Sequence, residues 1–151
     1  MKLKSALWMS AVTLLVCSWA SADVPGKHPY YLHALSDLRT ARWMLQHRPG
    51  DAAVSANEDV AITEINKAIG AIKHAAIDDG KNLEDHPPVD THEPRSGRLH
   101  KALAALHAAH DDVAKEEDNG FATGLRARAI HDIDEAIRFS EAGVHAAEQN
   151  I

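Results

Sequence analysis

From Pro29 onward, apolar residues recur at intervals of three and four, and no stretch alternates with period two. That spacing is the mark of amphipathic helices, whereas a half-buried strand repeats every second residue. The pattern predicts four helices. The first opens at Pro29, whose fixed φ suits a first helical turn, and runs to about His47 before Arg48-Pro49-Gly50, with Leu32, Leu35 and Leu38 on its stripe. The second starts at the capping box Ser55-Ala-Asn-Glu58, carries Ile62, Ile65, Ile69, Ile72 and Ala76, and stops at Asp78-Asp79-Gly80. A third, with Ser96 as its expected N-cap, carries Leu99, Leu103, Leu106 and Val113 to about Glu117. The fourth begins near Thr123 and carries Leu125, Ile130, Ile133, Ile137 and Val144.

The two halves resemble one another. Ala61-Ile-Thr-Glu-Ile-Asn-Lys-Ala-Ile69 aligns with Ala129-Ile-His-Asp-Ile-Asp-Glu-Ala-Ile137 at an offset of 68, with five of nine positions identical. Leu32-His33-Ala34-Leu35 aligns with Leu99-His100-Lys101-Ala102-Leu103 if one residue is inserted. The expected fold is therefore all-α: an up-down four-helix bundle made of a duplicated helical hairpin. Two connections are short, whereas the one from Gly80 to Arg95 is long enough to suggest a functional loop.

Residues 1–22 read differently. Lys2 and Lys4 precede an apolar run from Ala6 to Cys17, which Ala20-Ser21-Ala22 closes. These are the three parts of a secretory signal peptide, and the run is shorter than the roughly 20 residues a membrane span needs. The reading divides the chain into a signal peptide, 1–22, and a bundle domain, 23–151, that is periplasmic or secreted and has no membrane span after cleavage. Cleavage would remove Cys17, the sole cysteine of the 151 residues. Disulfides, thiolate metal sites, covalent c-type haem and cysteine nucleophiles are then excluded.

Composition narrows the function further. The chain carries a net charge of −6, and removing Lys2 and Lys4 makes it more acidic, so the basic footprint of a nucleic-acid binder is missing. Hydrophobic residues make up 45% but aromatic ones only 5%, which leaves alanine to fill much of the core and disfavours a haem pocket. No nucleophile elbow or phosphate loop occurs, so the expected function is non-enzymatic.

All 11 histidines fall after residue 22. With alternating helix directions, the end bearing the long loop would collect His28, Asp79, His86 and His100, an imidazole and carboxylate set suited to a divalent transition metal such as Zn, Cu or Ni. A second candidate cluster is His107, His110 and Asp111, where two imidazoles lie one turn apart and could hold a metal or, less readily, a non-covalent haem. Arg39, Arg42, Glu58 and Arg126 read as a structural ionic network near the apolar stripes, although Arg39 and Arg42 could instead line a cavity for an anionic ligand. His74, His131 and His145 project outward by the same helical arithmetic. The expected partner is thus a metal ion or small ligand. The alternative is an envelope interaction module without cofactor, whose histidines only tune surface charge.

Three strings, His28-Pro-Tyr-Tyr-Leu-His-Ala-Leu-Ser-Asp-Leu-Arg39, Asn57-Glu-Asp-Val-Ala-Ile-Thr-Glu-Ile65 and Asp78-Asp-Gly-Lys-Asn-Leu-Glu-Asp-His-Pro-Pro-Val-Asp90, resemble those of a family of small exported bacterial helical-bundle proteins. The resemblance implies export and a four-helix bundle. It carries no reaction, cofactor or residue role.

Overall fold

The computed structural model describes residues 27–47, 56–76, 88, 94–116 and 122–149. They form four helices and no strand: α1 (Pro29–Gln46), α2 (Ala56–Ala75), α3 (Arg95–Lys115) and α4 (Thr123–Glu148). The helices pack as a four-helix bundle around one core, with Tyr31, Leu35, Leu38, Leu45, Ile65, Ile72, Leu99, Leu106, Ile133 and Val113 fully buried. Alanines fill the spaces between these large residues. Ala61, Ala68, Ala71 and Ala75 of α2 and Ala129, Ala136 and Ala147 of α4 are all buried, so the two backbones approach closely. None of the described helices is long and apolar enough to cross a membrane.

The direction of each helix follows from the contacts at its ends. His28 at the start of α1 meets Glu116 just beyond α3, and Arg98 near the start of α3 meets Met44 and His47 at the end of α1, so α1 and α3 are antiparallel. His100 with Glu148, and His110 with Asp134, make α3 and α4 antiparallel. Arg95 reaches Glu58, which places the starts of α2 and α3 at the same end. The chain therefore runs up, down, down, up rather than strictly alternating. Among the described residues α1 touches α2 and α3, α4 touches α2 and α3, and the pairs α1/α4 and α2/α3 are diagonal. Each helix packs most extensively on the one the sequence repeat makes its counterpart, α1 on α3 and α2 on α4.

This threading explains the length of the second connection. Ala75 and Arg95 lie at opposite ends of the bundle, about 30 Å apart for helices of 20 residues, so the chain between them must travel the length of the domain. A short loop could not do it. One long crossover is a common way to thread such bundles.

The helix ends are capped from neighbouring helices. The N-caps of α1, α3 and α4 make no side-chain cap hydrogen bond of their own. Instead Glu116 accepts the Tyr30 N–H at 3.1 Å and contacts His28 Nδ1 at 3.1 Å, which puts a carboxylate at the positive end of α1. Arg98 donates to the Met44 and His47 carbonyls at 2.7 and 2.6 Å, and Arg126 donates to Val113 and Ala114 at 3.1 and 2.5 Å, so guanidinium groups meet the negative ends of α1 and α3. Each charge suits the neighbouring helix end it meets, while Arg95 and Arg98 at the start of α3 and Glu116 at its C-cap carry the unfavourable sign for α3 itself. Ser96, expected as the N-cap of α3, lies within that helix, and Pro94 holds the cap position.

Candidate functional site

Alternating directions would have put His28 and His100 at one end, but the crossover separates them. His28 is buried beside Glu116 at the end formed by the starts of α1 and α4, while His100 is exposed at the other end, 3.4 Å from Glu148. Asp79 and His86 lie outside the described residues. The expected metal cluster is therefore not assembled from its two described members. His107 is exposed, because the buried face of α3 is Leu99, Ala102, Leu106, Ala109 and Val113 rather than a stripe centred on Leu103. His110 is half-buried, with Nδ1 3.6 Å from Asp111 and Nε2 3.5 Å from Asp134. Among the described residues no three His, Cys, Asp or Glu side chains converge as a metal site.

The expected ionic network also divides. Glu58 is fully buried and pairs with Arg95 at 2.5 Å, Arg42 donates to Asn66 at 2.9 Å, and Arg126 caps α3 at the far end. Arg39 is buried within α1. His74, His131 and His145 are exposed, and Ser140 is fully buried.

A cleft that the sequence did not single out lies between α2 and α4. It has a volume of about 480 Å³, within the range of small-molecule sites, and is lined by Lys67, Gly70, Ala71 and His74 of α2 and Leu125, Arg128 and Asp132 of α4. On α2 these residues follow the spacing of one helix face, i, i+3, i+4, i+7. Because the two helices are antiparallel, Lys67 lies level with Asp132, and His74 level with Leu125. The cleft thus extends for two turns, about 10 Å, toward the C-terminal end of α2.

Asp132 is the unusual member. It is only 6% exposed, and among the described residues its Oδ2 is buried without a hydrogen bond. Burial pushes its carboxyl above the ordinary value, the charge of Glu64 adds to the effect, and Lys67, His131 and Arg128 oppose it. Lys67 is held by Glu64, whose two oxygens lie 2.8 and 2.9 Å from Nζ. Gly70 leaves space on the opposite wall, since a Cβ built there would meet no heavy atom within 4 Å.

Two signals could have pointed here. Asp132 falls three residues after Ala129 and four before Ala136, at the spacing of an apolar helix face, and Gly70 interrupts a good helix. Neither is specific without knowing that α2 packs on α4. The chain matches no protein-family model, no curated protein and no solved structure.

Proposed function

We propose that this protein is a non-enzymatic binding protein of the periplasm or the exterior, and that a small polar ligand occupies the cleft between α2 and α4. The observation that carries the reading is the cleft itself, about 480 Å³ of space lined by charges of both signs, Lys67, Arg128 and Asp132, beside Gly70 and Leu125. Gly70 supports it, because a helix-interior glycine sacrifices roughly 1 kcal/mol relative to alanine at a position with room for a side chain. The leader-like residues 1–22 support export. A transition metal at His28 or His110 would have to draw ligands beyond the sets expected from sequence.

Ligand-observed NMR with a mixture of small polar metabolites tests the reading. Saturation transfer to at least one compound is expected, and the Gly70→Leu variant, which fills the cleft, should abolish it. Transfer that persists in Gly70→Leu places the ligand elsewhere, and no transfer from any compound removes the cleft as a binding site.

A further inference from the structure

The charges that line the cleft are unequally exposed. Lys67 and Arg128 are exposed residues, whereas Asp132, the acid on the lining, is only 6% exposed. Its Oδ2 is closed to solvent, so Asp132 offers the cleft one oxygen at most, and burial favours the neutral form of its carboxyl. Lys67 keeps binding capacity although Glu64 holds it: its side chain is 56% exposed, and an ammonium has three N–H donors for the two Glu64 oxygens. Arg128 precedes Asp132 by four residues on the opposite wall, so the two cationic residues are offset by about 6 Å along the helix axis. Gly70, Ala71 and Leu125 give the lining around them no polar side-chain group. In a chain of net charge −6, this space therefore presents mainly cations to solvent.

Resting on the proposed binding role of the cleft, we propose that its ligand is a small dicarboxylate, with one carboxylate received by Lys67, the other by Arg128, and its methylenes against Gly70, Ala71 and Leu125. Each contact is a charge-assisted hydrogen bond, stronger than a neutral one, and the guanidinium fork suits a carboxylate in bidentate geometry. Two or three methylenes set the carboxylates about one helical turn apart, which matches the offset of the two cationic residues. A compact anion such as phosphate meets one of them at a time and leaves the apolar lining uncovered. Glu64 competes with the ligand for Lys67, so the affinity depends on a residue outside the lining.

The test is calorimetric titration of the protein with glutarate, butyrate, inorganic phosphate and 1,5-diaminopentane. Glutarate should bind, butyrate, which keeps one carboxylate, should bind about tenfold more weakly or worse, and the diamine should not bind. Lys67→Met and Arg128→Met, both at exposed positions, should each weaken glutarate by about tenfold. Glu64→Gln should strengthen it by about threefold, the weight of one exposed ion pair, because an amide holds Lys67 less tightly. Lys115→Met removes the same charge from the end of α3, outside the cleft, and should leave the affinity unchanged. Equal affinity for glutarate and butyrate, tighter binding of phosphate or the diamine, weaker binding in Glu64→Gln, or an equal loss in Lys115→Met overturns the ligand class. If glutarate fails to bind while some metabolite in the NMR mixture loses its saturation transfer in Gly70→Leu, the dicarboxylate assignment falls and the binding role of the cleft stands. If nothing binds in either experiment, both fall.

Discussion

Replacing Arg98 with methionine probes the idea that the helices are capped by their neighbours. Arg98 is 3% exposed, and its Nη1 donates to two carbonyls at the end of α1, Met44 O at 2.7 Å and His47 O at 2.6 Å. The last turn of α1 contains no basic residue of its own, so this guanidinium is the cation that meets the negative end of the helix dipole. Methionine retains most of the apolar stem and removes the charge. A charge-assisted hydrogen bond contributes about 1.5–3 kcal/mol, and the two bonds share one nitrogen, so the loss should be about 3 kcal/mol. In a domain of this size that corresponds to a fall in Tm of roughly 10 °C. Arg126→Met is the internal control. Arg126 also donates to two carbonyls, but its bond to Ala114 is exposed to water, and the loss should be nearer 1 kcal/mol. Urea unfolding followed by far-ultraviolet circular dichroism measures both. Equal losses in the two variants, or a loss below about 1 kcal/mol at Arg98, would refute the reasoning.

Four further outcomes follow from the same geometry. Gly70→Ala should stabilise the protein by about 0.5–1 kcal/mol in urea melts, because the helix gains propensity and the new methyl meets no neighbour. Asp132 holds its proton more tightly in the folded state than the ordinary value of 3.8 allows, so its ionisation weakens the fold as pH rises through that value and the raised folded one. Asp132→Asn should therefore be more stable than the parent by about 1 kcal/mol at pH 7, with the advantage shrinking in melts near pH 4. Asp37 is raised first by burial and then by the charge of Asp112, with His33 opposing; Asp112→Asn should lower its titration midpoint, read by carboxyl NMR, without returning it to the ordinary value. Spin labels at His74→Cys and Lys101→Cys should lie more than about 25 Å apart, since the crossover puts those positions at opposite ends; alternating helix directions would bring them close together.

The helices themselves were legible because their signals are local. Pro29, the three-and-four spacing of Ile62, Ile65, Ile69 and Ile72, and the start near Thr123 each place an element within a residue or two of its observed limits. Burial of Arg39 and Glu58 could be read from helical arithmetic for the same reason. The direction of α3 could not, because periodicity is unchanged when a helix is turned end for end, and a long connection permits either choice. That single ambiguity put His28 with His100, and Arg126 with Glu58, when each pair lies at opposite ends. The face of α3 was misplaced because Ala102 and Ala109 define it as much as the leucines do, and alanine weighs little in a hydrophobic stripe. The cleft was invisible for a third reason: Lys67, Gly70 and Asp132 become neighbours only when α2 packs on α4.

The most direct test of the central claim is a crystal structure of the protein grown with the compound that shows the strongest saturation transfer. The account predicts density for that compound between α2 and α4, against Lys67, Arg128 or His74. Ligand density at another surface, or an α2–α4 cleft holding only water at a saturating concentration, would contradict it.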